Sequence, residues 1–205
     1  DMLEVGQNGI GSVAENHHVG PMHEEYVDLG EKPTQNIEAA KALLESEGLA
    51  GAEFTYSYLA GGDYRQSTSE AMISQFREAG LNVEADGRPA SDFWSNWLNY
   101  PYSTTNWNGR PLGVQLYGLA YRSGVKWNEA NYSNAEFDTL LDEANSLADP
   151  AARSVVMGKL EKILQDDGVI IQPYWRGILC HHTDAVHGYF KHQANEHHLE
   201  EVSMG

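Results

Sequence analysis

Residues 54–86 constrain the fold more than any other stretch. Phe54, Tyr56 and Tyr58 alternate with Thr55 and Ser57, the period of a strand with one buried face. Ser67 followed by Glu70 fits a capping box, and Met72, Ile73, Phe76 and Ala79 fall on one side of the helix behind it, which Gly80 ends. Leu81, Val83 and Ala85 then alternate with Asn82, Glu84 and Asp86. Strand, helix, strand in so short a span is a βαβ unit, with parallel strands and a right-handed crossover. A chain that contains one is an α/β protein.

Other elements arrange themselves around this unit. Residues 1–34 carry turn formers (Gly6, Gly9, Gly11, Gly20-Pro21, Gly30, Pro33) and read as irregular, with one short helix near Glu24. Ile37, Ala40, Leu43 and Leu44 recur at helical spacing before Gly48. Ser91 or Asp92 caps a short helix bearing Phe93, Trp94, Trp97 and Leu98. Ser133 and Glu136 form a second capping box ahead of Phe137, Leu140, Leu141 and Ala144. Asp149-Pro150 opens a helix that buries Ala152, Val156, Leu160, Ile163 and Leu164. Gly168 ends it, and Val169–Ile171 reads as a short buried strand, with a weaker strand signal from Val186 to Phe190. These strands are few for a self-contained open sheet, so the chain is expected to need partner strands from elsewhere.

Between Tyr100 and Asn128 lies an aromatic, basic island in an otherwise acidic chain: Tyr100, Tyr102, Trp107, Tyr117, Tyr121 and Trp127 with Arg110, Arg122 and Lys126, and no acidic residue. Aromatic faces and guanidinium forks on a loop broken by Gly109, Pro111 and Gly113 suit a small-molecule or peptide pocket. They suit a buried aromatic core as well.

The 205 residues carry a formal charge of −17, which disfavours nucleic acid or an anionic membrane as partner. No run of about 18 apolar residues marks a membrane-spanning helix. The opening residues DMLEVGQNGIGSVAENHH lack a signal peptide's basic end and apolar core, so the expected start is a mature terminus or a point within a longer protein. Cys180 is the one cysteine, and no intrachain disulfide can form. Signatures of catalysis (G-x-S-x-G, a P-loop, H-E-x-x-H, a strand-turn-helix G-x-G-x-x-G) are missing, and no enzymatic activity or cofactor is expected. Nine histidines form the competing signal. His17, His18 and His23 lie near Glu15 and Glu24. Cys180, His181 and His182 make a second group, and His187, His192, His197 and His198 a third. Imidazole and thiolate suit zinc or nickel, yet no structural-zinc spacing is present, so no specific metal residue is assigned.

The segments NHHVGPMHEEYVDL, EAAKALLESEGL, SEAMISQFREAGLNVE, SDFWSNWLNYPYSTTNWNGRPLGVQLYGLAYRSGVKWNE and KLEKILQDDGVIIQPYWR resemble the later part of the extracellular solute-binding proteins, family 5, the peptide, dipeptide and oligopeptide-type substrate-binding components of ABC importers. The resemblance implies a type II periplasmic-binding-protein fold. Residues 1–170 would form most of the second lobe, and 171–205 a hinge crossover and C-terminal segment packing on the first lobe, which has no counterpart here. It implies a peptide-like or other small polar, even anionic, solute held between lobes. The expected partners are the first lobe, in the same or a separate chain, and the membrane permease. The expected location is the periplasm, or a lipid-anchored extracellular face where there is no outer membrane. Ligand contacts are expected from Tyr102, Asn106, Trp107, Asn108, Arg110, Trp127, Asn128 and Arg176. Peptide-binding members place an acidic residue in the loop where Arg110 stands, and that departure argues for an anionic or hydroxyl-rich ligand. The tail NEHHLEEVSMG departs from the family as well. The alternative is a metal or metal-chelate binding protein that uses the histidine groups.

Overall fold

Glu53–Leu59 and Asn82–Arg88 pair as parallel strands over their whole length, from Glu53 opposite Asn82 to Leu59 opposite Arg88. This is the expected βαβ unit, seen in a computed structural model that describes residues 2–30, 32 and 34–205. Pro33, among the turn formers above, lies outside the described residues. In order, the elements are α1 (Met2–Gln7), β1 (Gly11–Val13), α2 (Ile37–Ser46), β2 (Glu53–Leu59), α3 (Tyr64–Glu78), β3 (Asn82–Arg88), α4 (Ala90–Asn96), α5 (Gly113–Ala120), α6 (Ala135–Ser146), α7 (Pro150–Asp166), β4 (Tyr174–Arg176), β5 (Val186–His187) and β6 (Ser203–Met204).

Tyr56, Tyr58, Ile73 and Val83 bury themselves between β2, β3 and α3, with Phe54, Phe76, Leu81 and Tyr102 packed around them. The helix starts three residues before the Ser67–Glu70 box. Asp63 is its cap, its carboxylate accepting the Arg65 N–H at 3.0 Å, and Gln66 reaches back to the Gly61 and Gly62 N–H groups. Gly62 has a positive φ of 72°, which lets the chain turn sharply into that cap. Ser67 sits inside the first turn and returns its hydroxyl to the Asp63 carbonyl.

Residues 102–104 run parallel along the other side of β2: the Ser57 N–H donates to the Tyr102 carbonyl and the Thr104 N–H to the Ser57 carbonyl. The aromatic island is thereby fastened to the sheet at its beginning.

The second core is helical. Tyr117, Phe137, Leu141, Met157, Leu160 and Leu164 are fully buried among α5, α6 and α7, each burial contributing about 1.5–3 kcal/mol. Asp149 caps α7 as expected, with its carboxylate on the Ala151 and Ala152 N–H groups. Ala152 itself is exposed, and Met157 and Glu161 complete the buried face instead.

Five local expectations are corrected. Asn134 rather than Ser133 caps α6, since its side-chain oxygen reaches two backbone N–H groups. Pro89, pre-set for a helix start, precedes α4, and Asp92 is spent on Arg88 and Asn96. Around Glu24 there are turns and no helix. Val169–Ile171 is not a strand, and Ile171 is 51% exposed. The strand forms three residues later as β4, where β1 offers antiparallel partners. The Val186–Phe190 signal shrinks to β5, which pairs with β6.

Candidate functional site

The loop from 102 to 113 is tied down at both ends. Thr104 shares a hydrogen bond with the Tyr56 hydroxyl, and the Gly113 N–H donates to the buried Glu25 carboxylate at 3.2 Å. Gly113 fits closely there: a Cβ would stand 3.0 Å from the Val19 methyls, which would have to shift to admit it. Gly109 is equally constrained: a Cβ would meet the Gln193 carbonyl oxygen at 2.7 Å, where the tail crosses the turn.

Trp107 is the centre of this loop. Its ring meets His18 edge-on at 5.6 Å, Trp97 at 6.2 Å and Trp127 at 6.1 Å. Its indole N–H donates to Glu129 Oε1 at 2.8 Å, and the Thr105 hydroxyl reaches both Glu129 oxygens at 2.7 and 2.8 Å. Burial pushes the Glu129 carboxyl above its usual range, and the Trp107 and Thr105 donors offset part of that. Among the described residues, neutral donors and no cation meet this carboxylate. Trp127 keeps 40% of its surface exposed, so the aromatic cluster has an open rim over an acidic floor.

A second group lies alongside. The Asn106 side-chain oxygen accepts from Arg65 at 3.4 Å, and Arg65 is held by Asp63. Tyr64 lies between two guanidinium groups, Arg65 at 5.6 Å and Arg176 at 5.0 Å from its ring, and its hydroxyl accepts from Arg176 at 2.8 Å. Asn106 and Arg176, distant in sequence, are thus linked through Tyr64 and Arg65.

Other anticipated residues sit differently. The Tyr102 ring packs on Phe54, Tyr56 and Phe76 within the sheet core. The Asn128 amide is consumed locally, donating to the Arg122 and Tyr132 carbonyls and accepting the Tyr132 N–H, which locks the 122–132 turn. Asn108 is exposed and Arg110 half-buried on the turn that holds Trp107.

Sequence reasoning missed Glu129, Arg65, His18 and Trp97. Glu129 is the first residue past the island, and nothing in its linear spacing marks it; only the fold brings it against Thr105 and Trp107. The first histidine group is structural. His17 bonds Glu15 at 2.9 Å, His18 shares a hydrogen bond with the Tyr121 hydroxyl at 2.8 Å, and the His23 ring meets the Gly20 backbone. Burial pushes all three imidazoles down, His18 to about 3, so they stay neutral at physiological pH.

Residues 1–147 match the family model "Bacterial extracellular solute-binding proteins, family 5 Middle". No curated protein matches the sequence. The structure resembles the oligopeptide-binding protein AppA of Bacillus subtilis in complex with a nonapeptide (TM-score 0.79, 19% identity, 100% of this chain and 44% of that one). It also resembles the dipeptide binding protein of Pseudoalteromonas sp. SM9913 in complex with Met-Leu (0.80, 18%, 100% and 42%). A third likeness is AgaA of A. tumefaciens R10 in complex with agropinic acid (0.78, 17%, 100% and 44%). The chain therefore has an α/β periplasmic-binding-protein fold and spans less than half the length of each. The matched family is one of substrate-binding proteins, and among the described residues no helix is long and apolar enough to cross a membrane.

Proposed function

Because the chain belongs to the bacterial extracellular solute-binding proteins, family 5, we propose that it forms part of the substrate-binding component of an ABC importer. In this reading residues 1–170 make up most of the second lobe, and 171–205 cross the hinge to pack on a first lobe carried by the same or a separate polypeptide. The two lobes close on a small polar solute and present it to the membrane permease, in the periplasm or on a lipid-anchored extracellular face.

The observation that carries this reading is the rim of Trp97, Trp107 and Trp127 over the Glu129 carboxylate. Ring faces and an acid without a cationic partner suit a protonated amine, by cation–π attraction and a charge-assisted hydrogen bond. The island's lack of a carboxylate argued against a dipeptide, and Glu129 removes that premise. Arg110, Arg65 and Arg176 can meet the opposite, anionic end, with Asn106 and Asn108 orienting the solute. A peptide-like zwitterion fits both ends. Tyr102 and Asn128 support the site from behind.

The test is calorimetry of dipeptides on the two-lobed protein. Glu129→Gln is expected to weaken binding by about 1.5–3 kcal/mol, as for a lost hydrogen bond to a charged group, and an N-acetylated dipeptide to bind the native protein as poorly. Arg110→Ala is expected to cost more than about 1.5 kcal/mol for a ligand with a free carboxylate. Unchanged affinity in both variants and in Trp107→Ala would remove this loop from the binding site.

A further inference from the structure

Outside that loop, the tail brings two histidines and a carboxylate together. Residues 188–202 form a loop closed at its base by the pairing of Val186 with Met204 and His187 with Ser203. Asn195, at a positive φ of 62°, reverses the chain, and its N–H donates to the His192 carbonyl at 2.9 Å. The reversal sets His192, Glu196 and His198 side by side, with one ligand atom from each within 4.8 Å of the others. Glu196 Oε2 is 3.8 Å from His192 Nδ1 and 3.6 Å from His198 Nε2.

Each ring turns one nitrogen toward Glu196. The Ala194 N–H donates to His192 Nδ1 at 3.3 Å, so that nitrogen carries the lone pair of the neutral ring, and an ion bound there would displace this one hydrogen bond. His198 Nδ1 donates to Glu200 Oε1 at 3.1 Å, which leaves Nε2 unprotonated and facing Glu196. A carboxylate behind an imidazole is the arrangement that orients metal-ligating histidines and raises their basicity. Phe190 stacks on the His198 ring at 5.4 Å and 15°, holding it from the apolar side.

We propose that His192, Glu196 and His198 bind a zinc-class divalent ion, with Glu200 orienting His198 and the remaining coordination position open. Two imidazoles and one carboxylate suit zinc far better than calcium or magnesium, which take oxygen ligands. Tetrahedral zinc with bonds of about 2.0–2.1 Å spaces its ligand atoms by about 3.3 Å, so a small closure of this loop completes the set. The site needs neither the solute cleft nor the first lobe, and its test is independent of the transport reading.

The experiment is titration of the full chain with Zn2+ by calorimetry and with Co2+ by visible absorption. One ion per chain is expected, bound in competition with protons, so that affinity falls as the pH is lowered. His192→Ala and His198→Ala are expected to weaken binding at least tenfold, and Glu200→Gln by about 10- to 100-fold, the usual range for an outer-shell carboxylate. His181→Ala/His182→Ala should change nothing. Circular dichroism on each variant separates lost binding from lost folding. The proposal is overturned if Zn2+ does not bind, if the His192 and His198 variants bind it as tightly as the native chain, or if the 181/182 variant loses it equally.

Discussion

Two stretches of this chain bring histidines and carboxylates together, 15–25 and 192–200, and they are built in opposite ways. In the first, Glu15, His17 and Glu25 are buried to within 1% of their surface. Glu15 is met by His17, by the Tyr26 hydroxyl at 2.9 Å and by Lys32 at 3.1 Å, and Glu25 by Arg153 at 3.2 Å. Burial alone would push the Glu15 carboxyl up, but those three hydrogen bonds outweigh it and hold it below its usual value. In the second, His192 and His198 are about one-third exposed or less, and one nitrogen of each ring faces an exposed Glu196. The same residue types thus make a structural knot where the carboxylates are buried against paired donors, and a candidate site where a part-exposed loop turns imidazole nitrogens toward a solvated carboxylate. Each prediction below strains one side of that contrast.

The largest effect belongs to the knot. Arg153 puts one nitrogen on Glu25 and two on the Leu147 carbonyl, at 3.0 and 2.6 Å. Arg153→Ala leaves Glu25 buried against only the Gly113 N–H, and urea denaturation should show a loss of about 3–5 kcal/mol. Pairing it with Glu25→Gln should recover part of that loss, because no uncompensated charge remains. A single-variant cost below about 1 kcal/mol would mean that the knot is not structural.

A smaller effect tests how dry the knot is. Glu161 faces Glu15 and Glu25 across the interior, with one oxygen accepting the Val27 N–H at 3.2 Å. Burial, together with those two charges, pushes its carboxyl up to about 9. The unfolded chain releases this proton near its ordinary value of 4.5 and the folded chain holds it until about 9. Stability from this group is therefore complete below about pH 4.5 and drains away as pH rises toward 9. His17, His18 and His23 act at the other end: their lowered values mean stability is lost as pH falls through 6.5. Between pH 7 and 9 the slope is Glu161's own, about 1–2 kcal/mol, and Glu161→Gln should flatten it. A native chain equally stable at both pH values would show that water reaches this carboxyl.

The contrast between knot and site also explains what the sequence could tell. Periodicity identified β2, α3, β3, α6 and α7, because each buries one face against neighbours close in sequence. Helix starts slipped where a stronger cap stood nearby: Asp63 behind two glycines outcompetes Ser67, and Asn134 outcompetes Ser133. Val169–Ile171 had a strand's composition but no edge to pair with, while Tyr174–Arg176 found Gly11–Val13 more than 160 residues away. Of the candidate site, Trp107 and Trp127 were legible as aromatics on a broken loop. Glu129 was not, because linear spacing does not show that its carboxylate folds back under the Trp107 indole. Nor could spacing separate His17 from His198, since burial against Glu15, itself held by Tyr26 and Lys32, is a property of the packed interior.

The smallest effect is the most discriminating one. His198 touches Phe190, His192 and Glu200, all in its own loop, and contributes nothing to either core. His198→Ala should therefore shift stability by no more than about 0.5 kcal/mol in urea, as for a surface substitution, while removing a zinc ligand. Adding Zn2+ sharpens the comparison. Mass action stabilises a chain that binds the ion only when folded, by about 2.7 kcal/mol at a hundredfold excess over Kd. The native melting temperature should rise with Zn2+ and that of His198→Ala should not. His17→Ala should lower stability with or without the ion, since its imidazole is tied to Glu15 in the dry interior. If His198→Ala instead proved as damaging as His17→Ala without metal, the tail would be a second structural knot and the distinction between the two stretches would fall.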